Sequence, residues 1–533
     1  MSVMTYLVAS IVATTPQEAT ADLDRALADG ATAVELRVDH LADCDDIMIR
    51  SIAAARPESI PLILTIRSAD EGGAWDADDQ QRLARLIALG PAFDCIDVEL
   101  ATYDRSANIR QKVGLALGGS GEPRRRLILS AHDFAGRPAK LTAMLARMLE
   151  HERVDVVKLA WRARTVRDNF EAFELMREAA APVVAICMGD AGLPSRVLAR
   201  KFGAFATYAS VTADRAAAPG QLTVQELRQL YRWDRISAST KVFGVVGWPV
   251  EHSLSPHVHN AAFDRTGFDG VYLPLPIEPF YESFKAFVVE ALARPWFDLA
   301  GLSVTVPHKQ HALRLARELN GTIDPACERV GAANTLRFSR EGRIKAINTD
   351  LPAAVDSIAV LLGMPEGKLE GRSCLVLGAG GVARAVVAGL RSAGATVTIA
   401  ARSSEKSAAL AVEFGADVVE WQARSARGFD LVVNATPVGM WPETDATPLP
   451  ADRLAPPTAV FDTVYAPAQT ALLASAAALG CRSAGGMEMF IAQAARQFAW
   501  WTGLSAPVGD MREAAEAALA RRGPGSLHSD ESE

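Results

Sequence analysis

The stretch YRWDRISASTKVFGVVGWPVEHSLSPHVHN, residues 231–260, decides how the chain is divided. Before it, short apolar runs alternate with segments of helical periodicity. After it, the apolar run 242–246 opens a new α/β pattern with different punctuation. The Arg-Ile-Ser-Ala-Ser-Thr-Lys segment between them is polar and short, as a linker between two compact units should be. The sequence therefore reads as two units joined end to end.

The bulk properties agree. A chain of 533 residues predicts roughly three to four domains at ~150 residues each. Hydrophobic content of 49% with 22% charged residues fits an ordinary globular protein and excludes a disordered one. A net charge of -8 argues against broad nucleic-acid affinity, which needs basic surface to displace counterions. The six cysteines form no C-x-x-C pair, so neither a disulfide framework nor a zinc site is indicated; Cys95, Cys187 and Cys374 lie in apolar runs and read as buried thiols. The N-terminal MSVMTYLVASIVATTP has no basic flank or cleavage signal and reads as a first strand. No apolar run approaches the ~18–20 residues of a membrane span. The expected compartment is the cytoplasm, with neither nucleic acid nor membrane as a partner.

Working back from the seam, strand candidates fall at 6–13, 33–39, 61–68, 93–100, 126–134, 154–163, 183–189 and 206–211. Helical periodicity occupies, among others, 17–29, 78–89, 140–151 and 169–179. Eight strands alternating with helices predict a β/α barrel over residues 1–235, with an open doubly wound sheet as the alternative. Polar residues interrupt these strands in a pattern. Glu35, Arg37 and Asp39 alternate and so share one face of the second strand. Arg67 ends the third strand with Glu71 just beyond, and His132 and Asp133 end the fifth. In a barrel such residues converge on one mouth. Glu35 with Arg37 reads equally well as a structural ion pair. Lys158, flanked by Val156, Val157 and Leu159, must snorkel or be held for chemistry. Burial disfavours the ammonium and frees an amine able to attack a ketone.

The motifs ELRVD, TIRSxxEGG, SAHDF, VKLA, the Pro194-Ser195-Arg196 turn and AAAPGQL together resemble the type I 3-dehydroquinate dehydratases across nearly all of this unit. The resemblance implies that Lys158 forms an imine with the substrate ketone. It further implies that His132, held by Glu35, moves the protons, and that Arg37, Arg67, Glu71, Arg196 and Gln221 bind substrate, the arginine forks suiting its carboxylate. The chain departs from the family at Ala217, where a serine is usual. Weaker substrate binding is the expectation, with Ser210 as a substitute hydroxyl.

In the second unit, CLVLGAGGVA (374–383) runs an apolar strand into Gly378-x-Gly380-x-x-Ala383, followed by a helical pattern and a further strand at 396–400. That context marks a dinucleotide-binding turn, with Gly378, Ala379, Gly380, Gly381 and Val382 around the pyrophosphate. The next strand ends in Arg402 and Ser403 with Lys406 nearby, a set suited to a 2′-phosphate; Glu405 is the one acid that tilts toward NAD. NADP is the expected cofactor. Asn434 and Thr436 stand at the carboxyl edge of a later strand, where ligands bind. This Rossmann-type domain is expected over 363–480.

A separate α/β block, 241–362, carries HSLSPHVHN, GLSVTVPHK, GAANTL and NTD. Ser255 before Pro256 reads as an N-cap. His252, His257 and His259 cluster beside Glu251, but their spacing matches no metal motif, so they read as surface or helix-packing residues and no metal is expected. Lys309, just after Pro307 opens a helix, stands where a cation opposes the helix dipole. A lysine paired with an aspartate such as Asp350 can hand a proton to a developing alkoxide. Across 241–515 these motifs look like shikimate dehydrogenase. That resemblance implies a catalytic Lys309–Asp350 dyad, and substrate contacts from Ser253, Ser255, Thr305, Asn334, Tyr465 and Gln493. It also implies that helices at 481–518, including GGMEMFIAQAARQF, return to the substrate domain. Ser303 stands where many bacterial members have asparagine, as in plant-type members. Residues 519–533 are polar, broken by Gly and Pro, and expected to be a disordered tail.

The two resemblances name consecutive reactions: dehydration of 3-dehydroquinate to 3-dehydroshikimate, then reduction to shikimate with NADPH, in aromatic amino acid biosynthesis. Two alternatives stand beside this reading. One is an NAD-dependent quinate/shikimate dehydrogenase working in degradation, which Glu405 keeps open. The other is a catalytically silent quinate-pathway sensor.

Overall fold

The computed structural model describes residues 4–41, 44–76, 78–118, 125–365 and 367–521. It divides into two compact units, Met1–Thr240 and Lys241–Glu533.

In the first unit β1 (Tyr6–Ile11), β2 (Ala33–Arg37), β3 (Leu62–Thr65), β4 (Cys95–Glu99), β5 (Arg126–Asp133), β6 (Val156–Arg162), β7 (Val183–Met188) and β8 (Ala206–Ser210) lie in the spatial order 7-6-5-4-3-2-1-8. Every pairing is parallel. With β8 beside β1, the ring is nearly closed by the Phe205 N–H, which donates to the Val183 carbonyl at 2.8 Å. An open doubly wound sheet would reverse its strand order midway; this one does not. The strands end within three residues of the limits their apolar runs suggest, and the helices Pro16–Ala28, Asp79–Leu89, Leu141–Leu149 and Asp168–Glu178 fall where periodicity places them. The first helix shows why. Thr15 caps it by accepting from Glu18 N, Pro16 opens it, and the Glu18 carboxylate accepts from Thr14 N at 3.0 Å. Val8, Ile63, Ile128, Val156 and Val184 pack together in one apolar cluster inside the barrel.

The seam is less of a free tether than its composition suggests. Ile236 and Thr240 are buried, and Lys201 Nζ donates to the carbonyls of Ala238 and Thr240 at 2.9 Å each. The first unit therefore runs to Thr240 and not to 235.

The second unit holds two sheets. One contains β9 (Lys241–Gly247), β10 (Gly270–Pro276), β11 (Leu299–Val304), β12 (Thr322–Ile323), β13 (Thr335–Phe338) and β14 (Ile344–Ile347), in the order 10-9-11-13-14-12, with β13 antiparallel to its neighbours. The other contains β15 (Ser373–Leu377), β16 (Thr396–Ala400), β17 (Asp417–Val418), β18 (Leu431–Asn434), β19 (Ala459–Asp462) and β20 (Ser483–Ala484), parallel throughout in the order 17-16-15-18-19-20. The order reverses between β15 and β18, which opens a ligand crevice at their carboxyl ends. Because β20 pairs with β19, this sheet continues past residue 480.

The C-terminal helices Gly486–Thr502 and Val508–Arg521 return to the first of these sheets. Ile491, Phe498, Trp501, Met511 and Ala515 pack there with Phe243, Val258 and Phe263. Each buried phenylalanine contributes about 1.5–3 kcal/mol. Gly301 makes room for Trp501: a Cβ there would lie 2.6 Å from the indole nitrogen, which donates to the Leu336 carbonyl. The last helix corrects the expected tail. It runs on to Arg521 because Ala518 is buried and Leu519 packs against the same core. The rest of that tail lies outside the described residues. All six cysteines are buried and none forms a disulfide, three in each unit.

Candidate active sites

In the barrel, alternation places Ser10, Glu35, Thr65, Asp97, Ser130, Lys158 and Tyr208 inside. Lys158 is 5% exposed. Its Nζ lies 2.9 Å from Asp97 Oδ2, 3.4 Å from Glu35 Oε1 and 4.0 Å from the centre of the Tyr208 ring. The lysine thus faces two carboxylates; the apolar setting suggested by its sequence neighbours is only the outward half of its strand. Glu35 accepts from Ser10 Oγ (2.7 Å) and Thr65 Oγ1 (2.8 Å). Burial pushes its carboxyl up, but Lys158 and Arg37 outweigh that and hold it below the ordinary value.

Here one expectation is corrected. His132 is held by Glu71 and not by Glu35. Glu71 Oε2 lies 2.9 Å from His132 Nδ1 and accepts from the His132 main-chain N–H at 3.1 Å. Glu35 cannot serve, because its oxygens are engaged across the barrel. Burial pushes Glu71 up to about 7, with Glu99 and Asp97 adding to the rise and Arg67 opposing it. Burial, then Arg67 and Lys158, hold His132 well below its ordinary range, so it is a neutral imidazole at pH 7.

The three arginines differ. Arg37 forks onto Asp39 (3.0 and 2.7 Å), and Arg67 reaches Asp97 (2.9 Å) and Glu99 (3.5 Å). Arg196 is 1% exposed, and among the described residues no acid pairs with it. Its Nη1 donates to the Tyr208 carbonyl at 3.2 Å, its Nε has no partner, and burial pulls it down to about 10. The turn carrying it is locked: Ser195 N donates to Asn169 Oδ1, and Ser195 Oγ donates to the Gly192 carbonyl. A buried guanidinium without an acid partner has the chemistry to receive an anion. Glu35, Arg37, Arg67, Glu71, His132, Lys158, Arg196, Ala217 and Gln221 line one cavity. Ala217 does face it, and its N–H donates to Gln221 Oε1 at 2.7 Å. Ser210, the expected substitute hydroxyl, is buried but is not part of the lining. Asp97, Glu99, Ser130 and Tyr208 were missed by the sequence reading. The alternation of Asp97 with Glu99 in the fourth strand is the same signal as Glu35-Arg37-Asp39.

The Glu71–His132 pair has a consequence for pH. As a carboxylate, Glu71 accepts from Nδ1–H and leaves Nε2 free to take a proton; protonated, it loses that role. The dehydration rate is expected to rise as pH passes about 7, and Glu71→Gln to remove this inflection. A kcat–pH profile in which the inflection survives the substitution would refute the assignment.

In the second unit, Lys309 and Asp350 each occupy the first position of a helix, Lys309–Glu318 and Asp350–Leu362, and Lys309 Nζ meets Asp350 Oδ2 at 2.6 Å. The helix starts at Lys309 itself, two residues beyond Pro307. Asn348 Oδ1 accepts from the N–H groups of Asp350 and Leu351, and Asn348 Nδ2 donates to the Ala332 carbonyl. Asn334 is buried and bonds both the hydroxyl and the N–H of Thr349. The GAANTL and NTD motifs therefore interlock to aim the aspartate. Ser255 does not cap its helix. Leu254 holds the cap position, Ser255 is the first helical residue, and its N–H donates to Ser253 Oγ at 3.2 Å. Ser303 hydrogen-bonds the Tyr272 hydroxyl. Thr305 stays half-buried at the turn before Lys309, Gln493 bonds the Phe490 carbonyl within its helix, and Tyr465 stacks on Phe490 at 4.9 Å. Gln497, also missed, donates to Thr335 Oγ1. His259 packs against Tyr272 at 4.4 Å and Trp501 at 5.2 Å. Among the described residues no group of three or more His, Cys, Asp or Glu side chains is placed to hold a metal.

The dinucleotide turn follows β15. Gly378 has φ 114°, and a Cβ there would come within 2.8 Å of the Ala435 carbonyl. At Gly380 and Gly381 a Cβ would meet nothing within 4 Å, and Gly380 caps the helix Gly381–Ser392 without a side-chain bond. The first turn thus presents bare N–H groups to open space, the setting a pyrophosphate requires; half-buried Ala379 and Val382 flank it. Arg402 is exposed beyond β16, and Ser403 caps the next helix by accepting from Lys406 N. Glu405 is exposed in that helix's first turn. Asn434 is buried: it accepts from Thr436 N and Oγ1 and donates to Asp462 Oδ1, so its side chain shapes the loop rather than reaching outward.

A buried amine beside a neutral base in a barrel, joined to a lysine–aspartate reductase with a dinucleotide cradle, defines a two-site lyase and oxidoreductase. Family models agree, matching a type I 3-dehydroquinase at residues 7–238, a shikimate dehydrogenase substrate binding domain at 245–336 and a shikimate 5′-dehydrogenase C-terminal domain at 486–516. Residues 374–455 match a model described as NADP oxidoreductase, coenzyme F420-dependent. A chloroplastic bifunctional 3-dehydroquinate dehydratase/shikimate dehydrogenase of Arabidopsis thaliana is 33% identical over 500 residues, covering 90% of this chain and 79% of the relative. An NADP+ shikimate dehydrogenase of Methanocella arvoryzae is 41% identical over 286 residues, 52% of this chain and 99% of the relative. The chain belongs to the family of bifunctional 3-dehydroquinate dehydratase/shikimate dehydrogenases.

Proposed function

We propose that the chain carries out two consecutive steps of the shikimate pathway, dehydrating 3-dehydroquinate to 3-dehydroshikimate in the barrel and reducing that ketone to shikimate in the second unit. The supporting observation is the barrel cavity itself, which is lined together by an amine, a neutral imidazole and a guanidinium that no acid pairs among the described residues. Arg196 receives the substrate carboxylate, and Gln221 covers the bound molecule. Lys158 attacks the ketone carbon, water leaves, and the resulting iminium acidifies the adjacent carbon. Neutral His132 removes that proton and returns it to the departing hydroxyl; hydrolysis of the imine then frees the enone and the lysine.

In the second unit the glycine turn receives the pyrophosphate and Arg402 with Ser403 the 2′-phosphate. NADPH, when bound, supplies the hydride. Ser253, Ser255, Thr305, Tyr465 and Gln493 hold the hydroxyl and carboxylate groups of the substrate, and Asn334 aims the loop carrying Asp350. Lys309, fixed by Asp350, delivers the proton to the carbonyl oxygen. Glu405 projects from a helix surface, whereas an NAD-selective acid would end β16. Small molecules are the only partners this reading requires. Among the described residues no helix is long and apolar enough to cross a membrane, and the cytoplasm is the compartment it assigns.

The test supplies 3-dehydroquinate with NADPH or NADH. Shikimate is expected to accumulate with NADPH consumption and only slowly with NADH. Arg402→Ala is expected to raise the KM for NADPH roughly tenfold or more, the value of a charge-assisted contact, without changing that for NADH. Equal losses with both cofactors would place Arg402 away from the 2′-phosphate.

A further inference from the structure

We infer that Asp97 is a positioning residue for Lys158, a fixed anion that aims its amine and then serves as counter-ion to the iminium formed on it; the inference rests on the dehydratase reading above. Asp97 projects from β4 into the barrel with its side chain fully enclosed, and no role for it follows from the motifs of the sequence. One oxygen, Oδ2, lies 2.9 Å from Lys158 Nζ and 2.9 Å from Arg67 Nη2. The other accepts from Ser130 Oγ at 2.5 Å, and that hydroxyl in turn accepts from Arg67 Nη1 at 2.8 Å. Both oxygens are thereby fixed, so the carboxylate has one orientation, and it points at the nucleophile. Register explains the meeting: Ser130 pairs with Glu99 on one side and Lys158 on the other, which brings the inward faces of β4, β5 and β6 to one level.

The neighbouring groups keep Asp97 charged. Burial pushes its carboxyl up, but Arg67 and Lys158 hold it below the usual carboxylate range, with His132 in the same direction. Glu35 from β2, Glu99 from its own strand, Glu71 beyond β3 and Tyr208 from β8 complete the ionisable surroundings. A group so fixed does not accept the lysine proton; no atom of Asp97 is transferred. Its work is electrostatic. The nitrogen it faces in the free enzyme is the one that carries the iminium in the intermediate. Neutralising Asp97 therefore has two effects of opposite sign: the free amine is reached at lower pH, and the iminium loses its counter-ion.

The experiment measures two profiles against pH on the full chain. One is the yield of borohydride-trapped adduct with 3-dehydroquinate, by intact mass; the other is the dehydratase kcat. In Asp97→Asn the acid limb of adduct formation is expected to move down by about one unit or more, while kcat falls about 10²-fold or more at every pH. A residue that merely supports the fold would not move the acid limb. Asp97→Glu keeps the charge and covers the case in which the asparagine variant does not fold: its acid limb should stay at the wild-type position while the displaced carboxylate lowers kcat and leaves KM unchanged. An unmoved acid limb in Asp97→Asn, or a wild-type kcat in Asp97→Glu, overturns the inference. Failure of wild type to form any adduct would instead overturn the dehydratase reading.

Discussion

Lys158→Ala is expected to abolish the borohydride adduct with 3-dehydroquinate and to lower dehydratase kcat by at least about 10⁴-fold, the scale on which losing a covalent nucleophile acts. The geometry allows no substitute. Among the described residues lining the cavity, no other carries an amine. Reduction of 3-dehydroshikimate should persist in the same protein, because the second unit has its own core and its own site. The substitution removes a cation between Asp97 and Glu35, so circular dichroism and thermal melting should accompany the kinetics. A folded Lys158→Ala variant that still formed an adduct would place the imine elsewhere. A folded variant with wild-type dehydration would exclude imine chemistry at this position.

The second large effect is expected at the Lys309–Asp350 pair. Lys309→Ala should lower shikimate formation roughly 10²–10⁴-fold, as removal of a general acid does, with the dehydratase unchanged. Asp350→Asn should fall in the same range, because the 2.6 Å contact is what holds Lys309 Nζ in place. Residues that act as a unit are not additive, so the double variant should be no slower than the worse single one. Multiplied losses in the double variant would mean the two groups act separately.

The barrel was largely legible in the sequence, because strands buried on both faces appear as apolar runs and their helices keep a 3.6-residue period. Two candidate side chains stand out in the sequence as well, since Lys158 interrupts such a run and Lys309 opposes a helix dipole. What the chain order hid was pairing across space. His132 and Glu71 are 61 residues apart, and only closure of the ring shows that β3's following loop, and not β2, reaches the end of β5. Asp97 was hidden for a related reason: the alternation of Asp97 with Glu99 marks an inward face, but its partners depend on register. The Ser255 cap failed because the chain turns one residue earlier, where Ser253 supplies the acceptor. The sheet extension at β20 is two residues long and too short to leave a periodic signal.

The buried cysteines bear on how the protein meets its chemical surroundings. Burial pushes the thiols of Cys95, Cys327 and Cys374 up to about 12 and holds Cys187 well above the usual thiol range. Only thiolate reacts with alkylating or oxidising agents, so the folded chain is inert to them through these residues. Labelling of a thiol therefore reports an opening event. With Cys44, Cys95 and Cys187 in one unit and Cys327, Cys374 and Cys481 in the other, the chain carries a separate built-in clock for the unfolding of each half.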